Sequence, residues 1–143
     1  MKPSALFLGL IAAPMMALAA GPVLAGDLTL TFDVGRPAGK VQVVLFDSEA
    51  AYNGGGAPVR QARVDLAAGD VAATFEGLPD GDYAARAFHD VNDDGRMNTN
   101  PFGMPVEPYA FTNNARGNMG PARWDQARVA VSGGAVAQTL TLK

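Results

Sequence analysis

Asp27-Leu28-Thr29-Leu30-Thr31-Phe32-Asp33-Val34 alternates polar and apolar residues without a break. A period of two places Leu28, Leu30, Phe32 and Val34 on one face of an extended chain and the polar residues on the other, which predicts a half-buried strand. Pro37-Ala38-Gly39 then turns the chain, and Lys40–Asp47 (KVQVVLFD) is a second strand rich in β-branched residues. Ser48–Pro58 holds Asn53 and three consecutive glycines and reads as a loop. Further strands are expected at Val59–Leu66, Val71–Phe75 and Tyr83–His89. The turns between them fall at Gly69-Asp70 and at Leu78-Pro79-Asp80-Gly81. The tyrosine after that second turn, Tyr83, is placed to bond its hydroxyl back to the corner. Two last strands, Ala127–Val131 and Val136–Leu142, flank Ser132-Gly133-Gly134, a hairpin signal. Seven short strands at this spacing predict a meander folded into an antiparallel β-sandwich.

Composition agrees with that class. The chain has 143 residues, 48% of them hydrophobic and 17% charged, enough to bury one core and too few for two domains. Fourteen acids against eleven bases, with no cluster of Lys and Arg, argue against nucleic acid or an anionic membrane as partner. The absence of cysteine removes disulfides, thiolate metal sites and a thiol nucleophile.

The N-terminal segment reads as an address. Lys2 precedes an uncharged run, Ala5–Ala20, and Val23-Leu24-Ala25 has the small-x-small pattern that a signal peptidase reads. Pro14 interrupts the run and Gly21-Pro22 closes it, short of the ~20 apolar residues of a membrane span. Residues 1–25 are therefore expected to be a cleaved secretory signal, with cleavage after Ala25. Residues 26–143 would form one periplasmic or secreted domain without a membrane span.

From Asp90 to Asp125 no strand or helix period persists, and a structureless connection of this length in a compact domain is either functional or disordered. Its first part carries the only motif with evident chemistry. In Asp90-Val91-Asn92-Asp93-Asp94-Gly95-Arg96-Met97-Asn98, oxygen-bearing side chains occupy positions 1, 3, 5 and 9, with glycine at 6. Alternate residues of a tightly curved backbone aim their oxygens at a common centre, glycine permits the turn, and position 7 (Arg96) offers its carbonyl. Hard oxygen donors suit Ca²⁺ rather than zinc or copper. A bidentate glutamate is missing at position 12, where Pro101 stands, so Asn100 or Glu107 would have to complete the set. An incomplete set implies weak affinity, roughly 10⁻⁴–10⁻³ M as in extracellular modules. The competing account is an Asx-rich turn that needs no ion.

His89 is the only histidine, and alternation puts it on the core face with Tyr83, Ala85 and Ala87. There it is expected to be a structural donor to loop carbonyls, with no second histidine for a metal and no nucleophile motif beside it. The later loop residues Tyr109, Phe111, Asn113, Asn114 and Arg116 are dense in aromatic, amide and guanidinium groups. They would either present a surface to a glycan or protein partner, or plug an open end of the sandwich, with Trp124 as a core anchor.

Residues 77–129 also resemble a known family. His89-Asp90, the Asn-rich run to Asn100, Gly103-Met104-Pro105, Glu107, Tyr109-Ala110-Phe111-Thr112-Asn113-Asn114 and Gly120-Pro121 resemble the pattern of a secreted bacterial family, domain of unknown function family twenty-one forty-one. Ala110 and Thr112 depart mildly from its Gly and Ser. The GLPDGDY turn is also similar to prealbumin-like and carboxypeptidase-regulatory-like domains, which implies a seven-stranded Greek-key sandwich of transthyretin or immunoglobulin type. The family implies no catalytic residue. A calcium-stabilised binding or structural module is thus the expected function. The alternative is a small hydrolase using His89, Asp90 and Glu107.

Overall fold

The computed structural model describes residues 25–143; the expected signal segment, apart from Ala25, lies outside the described residues. Eight strands are present: β1 (Ala25–Asp33), β2 (Lys40–Phe46), β3 (Arg60–Asp65), β4 (Ala72–Pro79), β5 (Gly81–Asp90), β6 (Tyr109–Phe111), β7 (Val129–Val131) and β8 (Ala135–Thr141). They form two sheets. One has the order β4-β1-β8, and the other has the order β3-β2-β5-β6, with β7 paired to the start of β5.

The alternation expected in the sequence decides what lies between the sheets. Leu28, Leu30 and Phe32 of β1 face inward with Ala73, Phe75 and Leu78 of β4 and Leu140 of β8. From the other sheet come Val41, Val43 and Leu45 of β2, Val64 of β3, Tyr83, Ala85 and Ala87 of β5, and Val129 and Val131 of β7. Removing these side chains from water is the main stabilising term of the fold. The Tyr83 hydroxyl donates to the Pro79 carbonyl at 2.6 Å, tying the β4–β5 corner as expected.

Three expectations need correction. Among the described residues the count is eight strands rather than seven, because Tyr109–Phe111 inside the long connection pairs with Arg86–Phe88 as β6. The last two strands are not a hairpin and the chain is not a meander. β7 pairs with β5 in one sheet and β8 with β1 in the other, so Ser132–Gly134 carries the chain across the sandwich. The sheets are not wholly antiparallel either, since β8 runs parallel to β1 from Asp27↔Ala135 to Asp33↔Thr141. A glycine-rich turn fixes where the chain bends and not which strand it next meets. Here the crossing is packed against β1: a Cβ on Gly26 would fall 2.5 Å from Val131 and 2.6 Å from the Gly134 carbonyl oxygen.

The outer face of the five-stranded sheet is also covered in part. Phe46 of β2, Ala84 of β5 and Phe111 of β6 pack with Ala51, Tyr52, Ala122 and Ala127 into a second apolar cluster, with Trp124 half-buried against it. Tyr52 lies in a short helical turn (Ala51–Gly55) inside the glycine-rich segment expected to be a loop, Ala122 precedes the short helix α1 (Trp124–Ala127), and Ala127 ends it. The Tyr52 hydroxyl donates to the Ala122 carbonyl at 2.6 Å, joining the two loops. No helix among the described residues is long and apolar enough to cross a membrane.

Candidate metal centre

β5 ends at Asp90, and its last two residues take opposite faces, as neighbours on a strand must. His89 lies on the core side, where its Nε2 is 2.6 Å from the Ala38 carbonyl oxygen. A carbonyl only accepts, so Nε2 carries the proton and the ring is the buried structural donor expected from the sequence. Asp90 lies on the outer side and is fully buried. One of its carboxylate oxygens accepts from the Asp94 amide (3.1 Å); the other accepts from the Gly95 amide (2.8 Å) and from Gln42 Nε2 (3.2 Å). Three N–H groups on one carboxylate offset the cost of burying its charge and wind the chain back over itself. The turn runs through left-handed backbone at Asp93 (φ 54°) and Gly95 (φ 79°), so glycine at the sixth position does what the spacing required of it.

The curl brings Asp94 over Asp90. Glu107 arrives from far along the chain: Asn98 and Val106 are joined backbone to backbone, Thr99 pairs with Pro105, and the Glu107 carboxylate accepts from the Asn98 amide at 3.1 Å. The result is three carboxylates, Asp90, Asp94 and Glu107, each with an oxygen within 4.8 Å of the others. Asp90 and Glu107 are buried and Asp94 is exposed. The Arg96 amide hydrogen-bonded to Asp94, with smaller help from Asn98 and Asn92, holds its carboxyl below the usual carboxylate range. The nearest ion pair, Lys40 with Asp93 at 2.7 Å, uses a carboxylate outside the trio.

The other expected ligands divide. Asn92 Nδ2 lies 3.3 Å from an Asp94 oxygen and 3.5 Å from Asn98 Oδ1, so both amides stand at the mouth of the carboxylate cluster. Rotating the Asn92 amide by half a turn would present its oxygen instead. Arg96 is exposed, one residue past Gly95, and its amide is spent on Asp94. Asn100 is engaged in a turn of its own. Its Oδ1 caps the next turn, accepting from the Phe102 (2.9 Å) and Met104 (3.0 Å) amides, and Glu107 is the later group that reaches the carboxylates.

Two supporting residues were missed in the sequence. Gln42 grips Asp90 while its Oε1 accepts from Arg63 Nε at 3.2 Å; its signal was a lone amide in the otherwise apolar run Val41–Phe46. Gly39 sits at φ 67°, and a Cβ there would lie 2.2 Å from the Asp90 carbonyl oxygen, so only glycine lets the Pro37–Gly39 turn seat under the loop.

The expected loop surface is largely committed to structure. Asn113 (φ 62°) and Asn114 (φ 49°) form the turn foreseen for them, and their side chains then bind the free edge of β8. The Asn113 amide pairs with Gln138 and donates to the Gln126 and Arg128 carbonyls, while Asn114 donates to Thr139 O (2.9 Å) and accepts from Thr141 N (2.9 Å). They clip the two sheets together. Phe111 is buried in the second cluster, Tyr109 and Arg116 remain exposed, and the Tyr109 ring meets Phe111 edge to face at 5.9 Å. The aromatic pair therefore caps the outer face of a sheet rather than an end of the sandwich. His89 is not among the clustered carboxylates and bonds on the opposite side of β5, so the residues named for a hydrolase do not converge.

No curated protein and no solved structure matches the chain. Residues 33–139 match the family described as "Uncharacterized protein conserved in bacteria (DUF2141)", a span that takes in β2 to β7, most of β8, the carboxylate cluster and both segments over the outer face, and the chain belongs to that family.

Proposed function

We propose that the protein is an extracytoplasmic Greek-key β-sandwich module whose long loop is ordered by a calcium ion and serves a binding role. The observation that carries the metal reading is the gathering of Asp90, Asp94 and Glu107 oxygens within 4.8 Å, two of the three carboxylates being buried. Like charges this close repel unless a cation or a proton intervenes, and hard carboxylate, amide and carbonyl oxygens are the donors Ca²⁺ takes. Asp90, Asn92, Asp94 and Asn98 would supply side-chain oxygens, Arg96 its carbonyl, and Glu107 the ligand missing from the twelfth position. The Greek-key description is supported by the return of β4 to pair with β1 after β2 and β3 have paired in the other sheet. The extracytoplasmic setting rests on the signal-like pattern of residues 1–25 and suits a weak site, since calcium there is abundant.

Isothermal titration of EDTA-stripped protein with calcium, with magnesium as control, tests this. Saturable binding of one calcium in the range of about 10⁻⁴–10⁻³ M, with little magnesium binding, supports the reading. Equal responses to both ions, or none to either, refute it and leave the loop as an Asx-rich turn.

A further inference from the structure

The second apolar cluster covers only part of the outer face of the five-stranded sheet. Beside it, Val44 of β2, Phe88 of β5 and Tyr109 of β6 floor an open cavity of about 900 Å³. Met97 and Met104 wall it from the carboxylate loop, and Met119 from the segment before α1. Met104 is 61% exposed and Met119 fully so, at its rim. A concavity of this size with mostly apolar walls is of the kind that holds small molecules, and methionine walls adapt to irregular shapes.

Among the described residues one charged side chain lines it: Arg86, from the middle of β5. Its guanidinium lies 4.2 Å over the Tyr52 ring and 5.6 Å from the Phe46 ring, and Nη2 donates to the Tyr52 carbonyl at 2.5 Å. Arg86 Nε is buried without an acceptor, and none of the ion pairs among the described residues includes Arg86. A half-buried guanidinium with its Nε donor buried and unpaired is costly, and its planar fork matches a carboxylate. Arg86 also borders a neighbouring cavity, but there Arg123 is paired with Asp125 at 3.1 Å and the charge of Glu49 stands against that of Arg86, so that cavity offers an anion no net positive charge.

We propose that this cavity binds a small amphipathic carboxylate, with its headgroup on Arg86 and its apolar body against the methionine-rich walls. The site is separate from the carboxylate cluster and uses none of its ligands. Isothermal titration of the purified protein with decanoate, decanol and decylammonium, with and without millimolar calcium, tests it. Decanoate is expected to saturate at one per chain and to bind at least tenfold more tightly than either of the others. Arg86→Met should bring decanoate down to the level of decanol. Because Arg86 also braces Tyr52, a second variant guards against misfolding: Met104→Asp with Met119→Asp alters only exposed rim positions. It should weaken decanoate at least tenfold at an unchanged melting temperature. The proposal is overturned if decanoate and decylammonium bind alike, or if a folded Arg86→Met keeps its decanoate affinity. It is equally overturned if the rim variant binds as wild type, or if no probe saturates in either buffer. A dimer in sedimentation that Met119→Asp dissolves would likewise overturn it, showing that a second copy covers the cavity.

Discussion

Asp90→Asn and Asp94→Ala distinguish an ion-ordered loop from a self-sufficient turn, because the two carboxylates stand in different surroundings. Without calcium, Asp90→Asn removes a fully buried charge that three N–H groups address, and the new amide nitrogen must face one of those donors. Losing charge-assisted bonds and leaving a donor unpaired costs about 2–4 kcal/mol. For a domain of roughly 120 residues that is a fall of about 8–16 °C in melting temperature. Asp94→Ala in EDTA should melt close to wild type, since the side chain is exposed and its partners can turn to water. Calcium at 10–100 times its dissociation constant adds about 1.4–2.7 kcal/mol, hence about 6–11 °C, to wild type alone. The assay is differential scanning calorimetry of the three proteins in EDTA, in 10 mM calcium and in 10 mM magnesium. A full calcium increment in Asp94→Ala, or none in wild type, would refute the metal assignment. A normal Asp90→Asn melt in EDTA would refute the account of how the loop is wound.

Other positions test the frame around the loop. The Thr112 hydroxyl is fully buried, accepting from the Ala85 amide at 3.1 Å and donating to the Ala127 carbonyl. Thr112→Val should therefore cost about 2–4 kcal/mol in urea unfolding, whereas Thr112→Ser, which keeps both bonds, should cost about 1. Burial raises the Tyr52 pKa above its ordinary 10.0, opposed in part by Arg86. The unfolded tyrosine ionises first, so this contribution is complete below pH 10 and is lost as pH rises through the raised value. Tyr52→Phe should accordingly show a shallower loss of stability above pH 10 in pH-dependent melts. Gly39→Ala, forced to hold φ 67° with its Cβ 2.2 Å from the Asp90 carbonyl oxygen, should lose more than about 2 kcal/mol in chemical denaturation, with weaker calcium binding.

What the sequence disclosed follows the reach of each signal. Alternation along β1, β2 and β5 is a property of single strands, so their inward faces, the Tyr83 corner and the burial of His89 were all legible. The pairing of β8 with β1 and of β7 with β5 was not, because Ser132-Gly133-Gly134 encodes a bend without a partner. β6 is three residues long, too short to show a period, and it exists because β5 offers it an edge. Within the loop, the turn at Gly95 and the approach of Asp94 to Asp90 follow from local curvature and were readable. The approach of Glu107 to Asp90 and Asp94 depends on a chain reversal closed by the Asn98–Val106 and Thr99–Pro105 pairings, which no residue spacing announces. Tyr52 was hidden for a similar reason: amid Asn53 and three glycines it looked like loop, and its burial comes from Ala122, seventy residues away.

The carboxylate cluster and the Arg86 cavity share a wall. Glu107 holds the Asn98 amide, the reversal between Asn98 and Val106 is closed by backbone pairing, and Met97 and Met104 face the cavity from that same segment. An ion that draws Glu107 toward Asp90 and Asp94 would fix the base of the reversal and with it the position of one wall. A ligand seated against that wall would restrict the same segment. Linkage then makes the coupling reciprocal: whatever factor calcium contributes to carboxylate binding, the carboxylate returns to calcium. Weak affinity at the proposed calcium site would fit this coupling. A very tight ion would leave the wall permanently set, whereas one bound near its ambient concentration leaves the loop responsive to what fills the cavity.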